Sequence, residues 1–468
     1  MQQNFTPESD VENLNVLMKL THATAIERYT TIREGKPGLL VQQIEQLALT
    51  ENGIGTEKVF DFFKHEVVPF LHAGAGPRYL GFVTGGSTPA SLLGDFLTTI
   101  YDQNTFGFND TAAPIIEKQA LSYLKEIFGL SPSYFGTFVT GATQSNFVNL
   151  AIARQWCGMQ KGINIAQEGL SNLKIKIVGA TPHSSAYKSI SMLGLGKQNI
   201  DVIHTLPNRE RMDIDALKNY LEKNREYAII VLASSGTVNT GDFDDLVAIA
   251  ALKKQFNFWL HVDGAFGAFA ACWPERAHLL QGVNDADSIT VDAHKWLNVP
   301  YDCAMQFTKH QQLHAEVFQN SAAYLATQQF NEFFHYTPEN SRRWRGLPTW
   351  FSLLAYGKKG VRNIIENNCT LAYQLGEWIK QSNHYQLLSQ VHLNIVCFTL
   401  QPETSKQNIQ QWLDAVRDDG HVFFTPTVYQ GKPAIRAAFS NWMTNKDDLH
   451  IIQQTLEKFA IKNRSSSS

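Results

Sequence analysis

The chain has 468 residues, 44% of them hydrophobic and 18% charged, with a net charge of −3. That is enough apolar material for a full core, and it leaves no basic surplus for nucleic acid or an anionic membrane surface. No apolar run reaches the ~20 residues of a bilayer span. Met1–Phe5 lack the basic and apolar regions of a secretory signal, and the five scattered cysteines form no CxxC pair, so a reducing, cytoplasmic setting is expected.

Residues 1–75 read as a helical segment, from the apolar spacing in Leu39–Ile44 and Val59–Phe63. A Gly/Pro-rich stretch from Ala73 to Pro89 leads into the next region as a loop. Residues 76–345 alternate strand and helix patterns. Short apolar runs at Ile175–Val178, Ala228–Leu232, Phe258–Val262 and Ser288–Val291 are separated by helical stretches such as Asp213–Asn224 and Leu246–Phe256. This alternation predicts an α/β domain with a mostly parallel sheet covered on both faces. Residues 346–468 read as a smaller α+β C-terminal domain. It has a long helix over Thr349–Ser382, strands at Val391–Leu400 and Ala434–Ala438, and a last helix from about Asn445 to Phe459.

Ligands of open α/β sheets bind at the C-terminal ends of the strands, and four groups are expected there. Thr140–Asn146 opens an apolar helical run with the small residues Gly141 and Ala142 and the hydroxyl of Thr143. Backbone N–H groups at such a helix start suit a phosphate, although the stretch also fits an ordinary cap. His183 follows the run Ile175–Val178 and could stack on a planar ring or simply be a loop histidine. Asp263 ends an apolar strand in His261-Val262-Asp263, ahead of the small residues Gly264 and Ala265. It is either a capping carboxylate or the partner of a cationic ring nitrogen. Lys295, in Asp292-Ala293-His294-Lys295-Trp296, is either a snorkelling lysine or a Schiff-base former. A Schiff-base lysine and a strand-end acid are together what pyridoxal 5'-phosphate requires.

In these motifs the chain resembles the group II pyridoxal-phosphate-dependent amino-acid decarboxylases, the family of the aromatic-amino-acid, glutamate and histidine decarboxylases. The resemblance runs from about Gly76 to Trp442 and is most specific at His261–Gly267 and Asp292–Cys303. It implies fold type I, the aspartate aminotransferase-like architecture, in a homodimer acting on an L-amino acid. It also implies that Lys295 forms the Schiff base, Asp263 pairs with the ring nitrogen, His183 stacks on the ring, and Ala142 and Thr143 hold the phosphate. His294 would flank the Schiff base. Tyr324 falls in a stretch matching the family's catalytic loop, where a tyrosine returns a proton after CO2 leaves and a phenylalanine goes with aldehyde products. Arg436 resembles an arginine that meets the substrate carboxylate.

The resemblance is not uniform. Val238 stands where the family often has a small hydroxyl residue, with Thr237 still available in the same loop. The pocket stretch Pro77–Gly85 is mixed. Pro77-Arg78-Tyr79 resembles the glutamate and cysteine-sulfinate branch, as do the polar Gln103 and Asn104. Phe82, followed by Thr84, resembles the aromatic branch. Decarboxylation to the amine is therefore expected, with an aromatic substrate somewhat ahead of an acidic one. Decarboxylation with oxidative deamination, transamination and a non-catalytic cofactor-binding dimer are the alternatives. His310 and His314 have a helical metal-ligand spacing but no HExxH context, and Gly194-Leu195-Gly196-Lys197 lacks the rest of a P-loop. No metal is expected.

Overall fold

The computed structural model describes residues 6–41, 43–107, 111–170, 173–320, 332–402 and 404–465. Seven strands form the larger sheet: β1 (Phe135–Val139), β2 (Ile175–Gly179), β3 (Ile200–Val202), β4 (Ala228–Ser234), β5 (Trp259–Asp263), β6 (Ser288–Asp292) and β7 (Ala304–Thr308). Their order is β1-β7-β6-β5-β4-β2-β3. Neighbours from β6 to β3 run parallel, and β7 is antiparallel to both β6 and β1.

Every residue of β4 is buried, as expected for a strand covered on both faces. Alternate residues serve different cores. Ile229, Val231 and Ala233 join one cluster with Leu260 and Val262, while Ile230 and Leu232 join another with Trp259 and the helix Ala142–Met159. The same alternation puts Trp259, His261 and Asp263 on the helix side of β5. The parallel register then sets Ser234 opposite Asp263, and Asp263 opposite Thr290. The carboxyl ends of β4, β5 and β6 thus form one edge.

A second sheet of β8 (Tyr385–Leu387), β9 (Ile395–Leu400), β10 (Thr425–Tyr429) and β11 (Lys432–Ala438) is antiparallel throughout, in the order β10-β11-β9-β8. Its core includes Phe398, Trp412, Ile435 and Ile452. Leu80 belongs to this core, and residues 78–80 are bonded to it through Leu80 N–H to Phe423 O (2.9 Å), Phe423 N–H to Arg78 O (3.1 Å) and Ala438 N–H to Leu80 O (2.9 Å). The Pro77–Gly85 stretch therefore leaves the C-terminal sheet and enters the edge formed by β4–β6.

Several expectations are corrected. The described part of Leu39–Ile44 is not helical, and Leu40 and Val41 are exposed. The apolar spacing there has no core to face, and Pro37-Gly38 pins the chain, since a Cβ at Gly38 would lie 2.5 Å from Phe423. Helices occupy Leu14–Thr31 and Thr56–Phe62, and the second covers most of the Val59–Phe63 run read as helical. The long helix spans Gly346–Gln381 and kinks at Gly357 (φ 61°, ψ −175°), a conformation open essentially to glycine alone. The strand expected over Val391–Leu400 starts only at Ile395.

Candidate active site

One cavity of about 600 Å³ opens at the carboxyl edge of β4–β6. Lys295, Asp263, His183, His294, Ala265 and Arg436 all contribute to its wall, as do Phe82, Thr84 and Thr237. Residues proposed from separate stretches of sequence thus converge on one space.

Lys295 lies in the turn after β6. Its Nζ is 2.8 Å from Oδ2 of Asp292, a carboxylate that is 1% exposed. The turn is held from below by Asn298, whose Nδ2 donates to Ser440 O (3.0 Å) and whose Oδ1 accepts from Trp442 N (3.0 Å). The glycine-rich loop closes on the same turn. A Cβ at Gly85 would lie 1.8 Å from the Lys295 carbonyl oxygen, so only glycine allows this approach.

Asp263 ends β5 with one oxygen accepting from Asn146 Nδ2 (3.2 Å) and the other from Ala265 N (3.2 Å). Among the described residues it has no ion-pair partner, yet it faces a cavity where an ionised group needs one. A protonated ring nitrogen supplies that charge, and the small side chain of Ala265 beside it leaves room for a flat ring. These residues fit pyridoxal phosphate.

His183 caps the helix Ser184–Met192 by accepting at Nδ1 from Ser185 N (3.2 Å). Burial pushes its pKa down, with Asp263 opposing. His294 accepts at Nδ1 from Cys303 N (3.2 Å), which leaves Nε2 toward Asp292 Oδ1 at 3.6 Å. Burial lowers its pKa as well, against the pull of Asp292. Gly141, the N-cap of Ala142–Met159, abuts His294: a Cβ there would sit 3.3 Å from its Cε1. Gly141, Ala142 and Thr143 form an uncapped helix start beside the cavity, not part of its lining.

Arg436 on β11 is 5% exposed. It donates from Nη1 to Val238 O (2.7 Å), while its Nε has no hydrogen-bond partner. Burial lowers its pKa. No carboxylate ion-pairs with it among the described residues. Thr237, by contrast, spends its hydroxyl on Glu210 Oε2 at 2.5 Å. Phe82 stands in the wall at φ 56°, an uncommon conformation for a bulky residue.

Some candidates lie elsewhere. Asn104 does not line the cavity; its Oδ1 accepts from Arg342 N (3.1 Å). Gln103 bonds Thr111 (2.6 Å), and Arg78 is tied to Asp448 (3.1 Å). Arg342, whose backbone Asn104 meets, ion-pairs with Glu117, and its neighbour Arg343 ion-pairs with Asp95. His314 donates at Nε2 to Tyr336 O (2.7 Å), and His310 meets Asp287 (2.8 Å). Tyr324 lies outside the described residues.

With the site described, comparison with known proteins gives its class. Residues 37–401 match the pyridoxal-dependent decarboxylase conserved domain. The aromatic-L-amino-acid decarboxylase of Bacillus atrophaeus is 26% identical, covering 88% of this chain and 87% of that protein. The phenylacetaldehyde synthase of Petunia hybrida is 24% identical over 90% and 87%. The structure of Oryza sativa TDC solved with PLP and tryptamine superposes with a TM-score of 0.88 at 18% identity, covering 99% of each chain. The chain belongs to the pyridoxal-dependent decarboxylase family. It is a pyridoxal-phosphate-dependent carboxy-lyase with the fold of that family.

Proposed function

We propose that this chain removes the α-carboxylate of an aromatic L-amino acid and releases the amine. The observation that carries this reading is Arg436: a buried guanidinium with a free Nε in a cavity whose other walls include Phe82, Val83 and Phe266. Arg436 as the carboxylate anchor and apolar walls for a side chain suit an aromatic amino acid, while Arg28, the other arginine in the lining, donates to His72 O (2.8 Å). The polar residues that favoured an acidic substrate, Arg78, Gln103 and Asn104, are engaged outside the cavity. The aromatic-L-amino-acid decarboxylase of Bacillus atrophaeus supports the same reading.

When bound, pyridoxal phosphate supplies the carbonyl that captures an amine and the electron sink for the bond broken at Cα. Asp263 keeps the ring nitrogen protonated. His183 would stack on the ring. Lys295 would hold the cofactor through its Nζ, and Asp292 would take that Nζ as an ammonium when the substrate amine replaces it. Arg436 orients the α-carboxylate, and Tyr324 returns a proton to Cα. Gly141, Ala142 and Thr143 take the phosphate. The working enzyme is a homodimer, and its five thiols, none in a disulfide, suit the cytoplasm. Residues 76–345 serve as the cofactor-binding unit, between an N-terminal segment, 1–75, and a smaller C-terminal unit, 346–468.

An aldehyde-forming reaction is the second reading, favoured by the Petunia hybrida relative. Tyr324→Phe separates the two. Quantified amine, aldehyde and CO2 should show amine from the parent enzyme and a shift toward aldehyde in the variant. Aldehyde from the parent enzyme would replace the first reading by the second.

A further inference from the structure

The helix Ala142–Met159 lays polar residues over β5 and β6 where an apolar face would be expected. Asn146 is the centre of that contact and is fully buried. Its Nδ2 donates to Asp263 Oδ2 (3.2 Å) and to Ser185 Oγ (3.0 Å). Its Oδ1 accepts from Thr290 Oγ1 (2.7 Å) and pairs with His261 Nε2 (2.9 Å). A side-chain amide has two donors and two acceptor positions, and all four are in use.

The chemistry of the two ends sets the direction of every bond. The Asp263 carboxylate can only accept, so the Asn146 atom facing it is nitrogen. Oδ1 then faces His261, whose Nε2 must carry the proton. At the far end the Trp259 indole can only donate, and it donates to Ser288 Oγ (2.9 Å). Ser288 in turn donates to His261 Nδ1 (2.9 Å). Four bonds from Trp259 to Asp263 therefore point the same way, toward the carboxylate. Burial holds His261 at a pKa of about 4, so the neutral ring this chain needs persists across the physiological range. Ser185, having accepted from Asn146, is free to donate to His183 Nδ1 (2.8 Å). That leaves the His183 proton on Nε2.

We propose that Asn146 is the positioning residue for both cofactor-facing groups, holding Asp263 as the carboxylate that receives the ring nitrogen and fixing His183 through Ser185. The inference rests on the reading that the cavity binds pyridoxal phosphate. Asn146 touches no reacting atom; it acts by orienting groups that do.

Asn149 gives the matched control. It is equally buried on the same helix and donates to Ile289 O (3.1 Å) and, at 3.4 Å, to Thr290 Oγ1, but makes no contact with Asp263 or Ser185. Pyridoxal phosphate is titrated into apo-protein, and the absorbance bands of the bound cofactor report the protonation and tautomer of its Schiff base, a balance that the partner of the ring nitrogen biases. Asn146→Ala should weaken affinity by about tenfold or more, the effect of losing one hydrogen bond to a charged group, and should shift the band ratio. Asn149→Ala should leave the bands unchanged. Equal effects of the two variants would overturn the proposal, because Asn146 would then be structural only.

Asn146→Asp supplies a second measure that keeps the shape of the side chain. It sets a carboxylate against Asp263, so its cofactor affinity relative to the parent protein should fall as pH rises. A ratio that does not change with pH would also overturn the proposal. If the unaltered chain binds no pyridoxal phosphate, the functional reading fails along with it. If it binds and the variants behave alike, only the role of Asn146 fails.

Discussion

Arg436 is the residue on which substrate orientation turns. Its guanidinium is buried, donates to one carbonyl and leaves Nε without a hydrogen-bond partner, and a buried charge without a counter-charge is costly. A bound carboxylate relieves that cost. Arg436→Ala should lower kcat/KM by roughly tenfold to a hundredfold, as for loss of a charge-assisted bond, chiefly through KM. Arg436→Lys should recover only part of it, since an ammonium cannot form the bidentate contact. An unchanged KM in steady-state assays would move the carboxylate elsewhere. Lys295, Asp263 and His183 were legible in the sequence because each ends or follows a strand, whereas Arg436, inside β11, came from the resemblance alone. Lys295, Asp263, His183 and Arg436 line one cavity although they are far apart in the chain. Asn146 and His261 were harder to see. The signal was present as polar residues at alternate positions of buried strands, His261 and Asp263, then Ser288, Thr290 and Asp292. Period-2 polarity in a strand usually marks a solvent face, and only the helix lying over it shows otherwise. Asn104 misled for the opposite reason, since its polarity serves the Arg342 backbone.

At the level of elements, long apolar runs were read correctly and short or interrupted strands were not. β4, β5 and β6 lie close to where the sequence puts them. β1 was missed because Gly136 interrupts it; that glycine lets Phe307 of β7 pack within 2.6 Å of where a Cβ would be. β7 carries a buried Gln306, satisfied by Thr137 (2.9 Å), and β10 contains Pro426. Pairing across the sheet, invisible in the local sequence, decides these cases. The helix Gln311–Phe318 yields a prediction of its own. His314 is fully buried, and burial pushes its pKa down to about 3, with the bond to Tyr336 O opposing. Its neutral form is favoured in the fold, so the stabilisation is complete above the unfolded value and is lost as pH falls toward the folded one. From pH 7 to pH 5 this histidine alone should cost about 2 kcal/mol. Denaturant unfolding of His314→Gln should show a shallower loss over that interval. An identical slope would mean that protonation of His314 is not linked to folding.

At the level of the whole molecule, apolar side chains remain on the outside. Leu14, Val16, Met18 and Ile26 are exposed on the helix Leu14–Thr31, and Leu93, Phe96, Ile100 and Tyr101 on the helix Pro89–Tyr101. In the homodimer proposed above, a second copy of the chain would cover such faces. Sedimentation should give a dimer, and Phe96→Glu with Ile100→Glu should shift it toward monomer. A parent protein that sediments as a monomer at micromolar concentration would contradict the homodimer. The central claim concerns the reaction itself. The most direct test incubates the cofactor-loaded protein with a panel of L-amino acids, aromatic and acidic, and measures CO2 and amine together. The account predicts CO2 and amine in equal amounts from an aromatic member, and neither with Lys295→Ala. Release of CO2 only from the acidic members, or turnover that survives loss of Lys295, would contradict it.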